Sequence, residues 1–549
     1  MGWLLAALPS VMAAAEPPTP AATPQRPSAS ADPQGLATSP PVVATRTEPR
    51  FTITAYSFEG ATLLSPDQLK AAVAGLTGEA RSFADIEEAI QQVKDAYEAA
   101  GITAVEVLVP EQALDSGTVR LEITEFKIVG IDIQGAAQRS EDNIRRAVPS
   151  VREGITPVDT VISRELRLAN ENPGRQMQTT FSPDAEGRLT AVMRVADREN
   201  LAGAVTLENT GNADSGQWRV GALLQHMNLL DRDVVGTLQL QTSPGHVSDV
   251  QIAVLNVRAP VYSAGLLLEA TLLHSSVDSG LVQNTGSPDL LLSSSGTTFG
   301  LRATRLLPRW DRWEPRISLG YDNKKVTSNV KLQPDAPSEV PEIVLRPVTL
   351  SYSGSWRDDS YSVFGALGVS RNLPGGGRSA ASVFAEPGLR AGANPRYTIW
   401  RPALSASLPW RGGSLEAQWS AQFTPDALVS AEQFGVGGEG SVRGFNGRVA
   451  AGDKGHRVSL EFQSAPQPWA QAWGLTGGWQ VFTEAGRVER NHPQPGEVVR
   501  TTLAAVGGGL RLSSAQGLSL RLDLGVVAKG AGLARRGDHY GHFSLSQSF

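Results

Sequence analysis

From Leu201 to Phe549, apolar and polar positions alternate with a period of two. Leu518, Leu520, Leu522, Leu524 and Val526 interleave with Ser519, Arg521, Asp523 and Gly525. Val458, Leu460 and Phe462 interleave in the same way with Ser459, Glu461 and Gln463. Successive side chains of a strand point to opposite faces, so each segment has one apolar face and one polar, partly charged face. A soluble sandwich buries the apolar face in a core, whereas a transmembrane barrel turns it to lipid and keeps the polar face in a wet lumen. Sixteen segments read this way, from 201–209 to 540–549, among them 265–275, 297–306, 315–323, 413–423, 456–464, 476–485 and 517–528. Their connections decide between the two folds. Long connections (276–296, 324–345, 372–394, 424–455, 486–500) alternate with short ones (307–314, 357–360, 409–412, 513–516). That asymmetry is expected of an outer-membrane barrel and has no cause in a sandwich. The pattern predicts a transmembrane β-barrel of sixteen antiparallel strands over 198–549.

Upstream, the period changes and the chain repeats itself. Residues 58–73 align without a gap over residues 133–148, with Gly60/Gly135, Ser65/Ser140, Asp67/Asp142, Ala72/Ala147 and Val73/Val148 identical. Each copy reads as a strand, a glycine turn and a helix capped by serine; Ser65-Pro66-Asp67-Gln68 has capping-box spacing with Pro at the first helical position. A second helix follows in each. Ser82 caps one with the apolar face Ile86, Ile90, Val93 and Tyr97, and Thr156-Pro157-Val158-Asp159 opens the other. Strand pairs 103–109 with 118–125, and 175–181 with 188–195, close the units. The order predicts two small α+β modules, 51–125 and 126–197, whose edge strands could pair with an extended peptide.

Residues 1–15, MGWLLAALPSVMAAA, are apolar and end in small residues, which predicts a secretory signal peptide, although no Lys or Arg precedes the apolar stretch. Residues 16–50 hold nine of the 35 prolines among Ala, Thr and Ser, the composition of an extended linker, and lack the amphipathic period of a helix. Composition narrows the function further. The 549 residues contain no cysteine, which removes disulfides, thiol nucleophiles and cysteine-based metal sites. A formal net charge of −6 gives no electrostatic footprint for nucleic acid. No run of 18 apolar residues could form a membrane helix.

Catalytic and cofactor motifs are lacking. His539 and His542 form the one close histidine pair, without the partners a metal site needs. No nucleophile elbow, phosphate loop or zincin helix occurs, and Asp231-Arg232-Asp233 reads as ordinary turn chemistry. Gly435, Gly437 and Gly440 have the spacing of a dinucleotide loop, but no helix follows, so the reading is a tightly folded connection and no nucleotide.

That connection, 424–455, contains Val442-Arg443-Gly444-Phe445. This resembles the V-R-G-[YF] signature in the long sixth loop of two-partner secretion transporters, the ShlB/FhaC-type hemolysin secretion/activation family. Phe482-Thr-Glu484-Ala-Gly486 resembles the family's F-x-D-x-G motif, with Glu484 in place of Asp. Asn172-Pro173-Gly-Arg175 resembles the N-P-x-R element of its second periplasmic POTRA domain. The resemblance spans residues 51–549 and brings a set of expectations. The fold would be two POTRA-like domains followed by the barrel, in the bacterial outer membrane with the N-terminal domains in the periplasm. The function would be export of an unfolded, β-rich partner exoprotein bound by the POTRA domains, with outer-membrane lipid around the barrel. No enzyme activity and no cofactor are implied. Arg443 would enter the lumen and pair with Glu484, or alternatively with Glu461. Other readings of the same architecture are an outer-membrane assembly factor, against which two repeats rather than a longer array argue, and a passive porin, which has no use for them.

Overall fold

The computed structural model describes residues 49–549 apart from 184–187, 213–214, 283–289, 332–339 and 359. The expected signal peptide and nearly all of the expected linker lie outside the described residues. The chain forms two compact units, one over the first POTRA-like module with Thr156–Asp159, the other over the second module and the barrel.

In the first unit a three-stranded sheet has the order Ala55–Glu59, Thr118–Glu125, Val105–Leu108, the first pair parallel and the second antiparallel. Two helices cover it, α1 (Pro66–Ala72) and α2 (Phe83–Ala99). Both start with a capping box: Ser65 Oγ accepts from the Gln68 amide at 3.3 Å, and Ser82 is paired reciprocally with Asp85. The α2 stripe Ile86, Ala89, Val93 and Tyr97 is buried against Val107, Val119, Leu121 and Ile123. Beyond the expected order, Phe51–Ile53 pairs with Gly78–Arg81 as a separate two-stranded ribbon.

The second module repeats the plan with the sheet order Ile128–Gln134, Leu189–Asp197, Arg175–Pro183 and the helices α3 (Glu141–Ala147) and α4 (Asp159–Ala169). The repeated glycine has one cause in both copies. Gly60 and Gly135 sit at φ 88° and 80°, and a Cβ would come within 2.2 Å of the Ile123 carbonyl in one copy and 2.5 Å of the Val195 carbonyl in the other.

The barrel strands are β1 (Leu201–Glu208), β2 (Arg219–Leu229), β3 (Val234–Thr242), β4 (Val250–Val261), β5 (Leu266–Val282), β6 (Leu290–Leu306), β7 (Trp313–Lys331) and β8 (Pro347–Arg357). They continue as β9 (Ser362–Asn372), β10 (Thr398–Trp410), β11 (Gly413–Gln422), β12 (Lys454–Ser464), β13 (Leu475–Glu489), β14 (Arg500–Ser514), β15 (Leu518–Lys529) and β16 (His539–Ser548). Neighbours pair antiparallel in sequence order, and β16 returns to β1 to close the barrel, as the alternation predicts. At that seam Gly203 and Phe549 exchange two backbone hydrogen bonds of 2.9 Å. The apolar face turns outward, leaving Leu238, Leu240, Leu319, Leu350, Leu404, Val481 and Leu524 exposed.

One expectation needs correction. The segments 265–275, 297–306 and 315–323 are too short: β5 runs to Val282, β6 starts at Leu290 and β7 reaches Lys331. Alternation fades in the sequence beyond residue 275 while the backbone ladder continues, because main-chain pairing needs no apolar face. The long connection expected at 372–394 is present between β9 and β10 and carries short 3-10 turns at Gly377–Ser379 and Ala381–Ala385. The second module also has no separate core. Its Ile144, Val148, Ile162, Leu168, Met177 and Met193 form one buried cluster with Tyr262, Leu267 and Leu306 of the barrel.

Candidate functional site

Between β11 and β12 the long connection turns into the lumen. Phe434–Val436 pairs with Ala450–Gly452 as a narrow hairpin, and the tip beyond it carries Val442, Arg443, Gly444 and Phe445. Val442 and Phe445 are buried with Phe434, Val436, Val488 and Leu503, so the tip is seated by apolar packing on the inner wall of β13–β15.

Arg443 is 2% exposed. Its backbone N–H donates to Glu484 Oε2 at 2.6 Å, and its Nε and Nη2 donate to Glu484 Oε1 at 2.9 and 2.6 Å. Glu461 and Glu484 are joint acceptors rather than alternatives, since Nη2 also lies 2.7 Å from Glu461 Oε2. A third carboxylate completes the site: Asp523 Oδ2 on β15 lies 3.2 Å from Nη1. Phe482 supplies a face, with the guanidinium carbon 3.4 Å from its ring centroid. Arg511 pairs with Glu461 at 2.7 Å, and Arg521 with Asp523 at 2.8 Å and with Glu439 at 3.2 Å, so further guanidinium groups partly offset the carboxylates around Arg443.

Strand geometry explains the convergence. On β13 the residues Gln480, Phe482 and Glu484 are buried toward the lumen while Trp479 and Val481 face outward. Glu461 stands directly opposite Phe482 and Ser459 opposite Glu484 in the β12–β13 register. Gly486 leaves room for the loop, because a Cβ there would lie 2.9 Å from Val436. Asp523 was not singled out from sequence; its signal was its place on the charged face of the alternating strand 517–528.

The third motif lies elsewhere, at the junction of the second module and the barrel. Asn172 Nδ2 donates to the Met227 and Asp233 carbonyls at 2.7 and 3.2 Å, and Pro173 continues the turn into Gly174 and Arg175. Arg175 Nη2 reaches Tyr262 Oη at 2.6 Å and Asp233 Oδ2 at 3.0 Å, and Tyr262 Oη donates to Asp233 at 2.8 Å. Arg139 joins with Nε 3.0 Å from Asp233 and Nη1 2.5 Å from Asp197. Burial pushes the Tyr262 hydroxyl well above the usual phenol range, against the pull of Arg175, which keeps it a donor. The β2–β3 turn holds Leu230, Asp231 and Asp233 at φ 58°, 52° and 58°. Asn228 steadies it by accepting from the Asp233 amide at 2.9 Å and donating to Asp231 at 3.0 Å. Asp233 is thus a buried acceptor for two arginines and a tyrosine, not only a turn former.

The chain matches the family described as haemolysin secretion/activation protein ShlB/FhaC/HecB over residues 191–512, and the ShlB-type POTRA domain over residues 51–125. It belongs to that family. It is similar to the outer membrane transporter CdiB of Dickeya dadantii, 26% identical over 476 residues, covering 84% of this chain and 79% of that protein. It is also similar to the heme/hemopexin transporter protein HuxB of Haemophilus influenzae, 20% identical over 476 residues, covering 83% and 80%. The solved structure of CdiB from Escherichia coli shares the fold at TM-score 0.75 and 17% identity, covering 93% of each chain. CdiB from Acinetobacter baumannii does so at 0.71 and 16%, covering 91% and 90%. The family is one of transporters, and this member is an outer-membrane transporter of two-partner secretion with its N-terminal domains on the periplasmic side.

Proposed function

We propose that the first POTRA domain captures an unfolded, β-rich exoprotein by strand addition, and that the barrel, set in outer-membrane lipid, conducts it outward past the seated motif loop. The observation that carries this reading is the edge strand Val105–Leu108. It pairs on one side only, with Thr118–Glu125. A largely apolar groove runs beside it, lined by Phe83, Ile86, Ile90, Val109, Pro110 and Leu114 with Glu87, Glu111 and Gln112 among them, and with Phe83, Leu108 and Val109 exposed. An extended segment added there would gain main-chain hydrogen bonds and place alternate apolar side chains in the groove. Such recognition needs alternation more than a given sequence, which suits a β-rich client. Folding of the client outside would supply the drive, since the chain carries no nucleotide-binding loop.

The test compares extracellular proteins of cells with and without this chain. One missing exoprotein, restored by the wild-type chain and not by Phe83→Asp, which puts a charge in the exposed groove, supports capture beside this edge. General loss of outer-membrane barrels would assign the chain to barrel assembly, and full rescue by Phe83→Asp would remove this edge and its groove from the mechanism.

A further inference from the structure

The root of the motif loop holds a second buried ionic cluster. Glu432 ends a short 3-10 turn (Ser430–Glu432) and is 3% exposed. Its carboxylate accepts from Lys324 Nζ of β7 at 2.9 Å and from Arg401 Nη2 of β10 at 2.9 Å. Two strands with β8 and β9 between them thus hold one carboxylate. Arg401 Nε also donates to Gln422 Oε1 of β11 at 2.9 Å. Gln422 Nε2 then donates to the carbonyls of Glu432 and of Asp453, each at 2.9 Å, so one side-chain amide clasps the outgoing and returning limbs of the loop. Asp453 is itself buried, accepting from the Leu428 and Asn491 amides at 2.9 and 2.7 Å and from Arg390 of the β9–β10 connection.

This arrangement is poorly suited to adding stability and well suited to fixing position. Desolvating a carboxylate and two cations offsets most of their attraction, while the geometry they demand is strict. Past the clasp, the limbs are already paired between Phe434–Val436 and Ala450–Gly452. A paired hairpin keeps its length, so a displacement of the root becomes a displacement of the tip. Arg443, whose five contacts within 3.2 Å lie on β12, β13 and β15, tolerates little of it.

We propose that Glu432 is a positioning residue: pinned between Lys324 and Arg401, it sets where the loop enters the lumen, and without that pin the loop unseats and the pore widens. The reading concerns the pore itself and is tested without the exported partner, so it stands or falls apart from the capture proposal. Purified full-length chain in planar bilayers is compared as wild type, Glu432→Gln, Lys324→Gln and the double variant, each first confirmed as a folded barrel by heat-modifiable gel mobility. Each single substitution is expected to raise the frequency of high-conductance openings by roughly tenfold, the population change worth about 1.4 kcal/mol. The double variant is expected to add little to Glu432→Gln, because that substitution already removes the pair that Lys324→Gln removes. A contact that bears on stability alone would leave the opening frequency of the folded barrel unchanged. Openings at the wild-type frequency in both single variants, or effects that multiply in the double, would overturn the proposal. Should Glu432→Gln fail to assemble, Lys324→Gln against Lys324→Arg gives the same reading, with Arg expected to behave as wild type and an Arg variant as open as the Gln variant overturning it.

Discussion

Arg175 of the second POTRA domain and Asp233 of the β2–β3 turn meet at 3.0 Å with both side chains shut off from solvent. The contact makes the domain and the barrel end one packed body, since Tyr262, Leu267 and Leu306 complete the domain's own core. An unfolded client delivered to this domain would therefore arrive at a fixed place on the barrel rim.

Removing Asp233 leaves the buried guanidinium of Arg175 without a carboxylate and that of Arg139 with Asp197 alone. Breaking a buried pair from one side costs about 3–5 kcal/mol. Asp233→Ala is expected to loosen α3 and the strand Ile128–Gln134 while the barrel strands stay protected. Hydrogen exchange measures both at once, and unchanged protection in α3 would count against the junction as described.

Arg443→Lys is expected to behave almost as badly in secretion as Arg443→Ala, though it keeps the charge. One ammonium cannot reach Glu461, Glu484 and Asp523 together, nor lie flat on Phe482 as the planar guanidinium does. With charge-assisted hydrogen bonds worth about 1.5–3 kcal/mol each, losing one or two should unseat the tip. The check is the amount of exported protein in the medium, with heat-modifiable mobility showing the barrel still assembled. Secretion by the Lys variant at wild-type levels would mean that charge alone suffices.

How far sequence carries the structure depends on what each position must satisfy. The barrel was legible because lipid outside and water inside impose a two-residue period on every spanning strand, as in Leu518–Val526. The ends of β5, β6 and β7 carry no such period in the sequence, and their extent could not be read. Val442–Phe445 and Phe482–Gly486 stood out because each packs several constraints into a few residues. Asp523 and Asp233 did not, since an aspartate on a lumenal strand or in a four-residue turn looks like any other until the fold brings an arginine to it. The clasp at Glu432 was hidden for the same reason, as its partners lie 108 and 31 residues away.

In the first POTRA domain, the Ser82 backbone amide and hydroxyl, with Arg81, hold the Asp85 carboxyl down to about 2 from an ordinary value of 3.8. A folded-state value below the unfolded one means that the stabilisation is complete above about pH 4 and fades as the pH falls toward 2. Asp85→Asn is expected to lower the exchange protection of α2 at neutral pH and to lose less than the wild type on acidification from pH 5 to pH 2. Parallel acid profiles for α2 in the two proteins would show that the capping box carries none of the dependence.

The seat of the motif loop depends on one glycine that no polar contact announces. A Cβ built on Gly525 of β15 would lie 2.4 Å from the Gly444 nitrogen and 2.7 Å from the Arg443 carbonyl carbon, both backbone atoms that cannot turn aside. Gly444 itself sits at φ 97°, so the tip has no spare conformation in which to retreat while keeping Arg443 on its carboxylates. Gly525→Ala should therefore cost roughly 1–3 kcal/mol of loop seating through overpacking, while the strand, where Ala fits the ladder as well as Gly, remains paired. The expected result is a folded barrel with more frequent large conductances and reduced export, the same direction as Arg443→Ala although no charge has changed. Combining the two should add little, because a tip already displaced no longer meets the new methyl group. An Ala variant with wild-type conductance and export would show that the loop tolerates a shift of its tip.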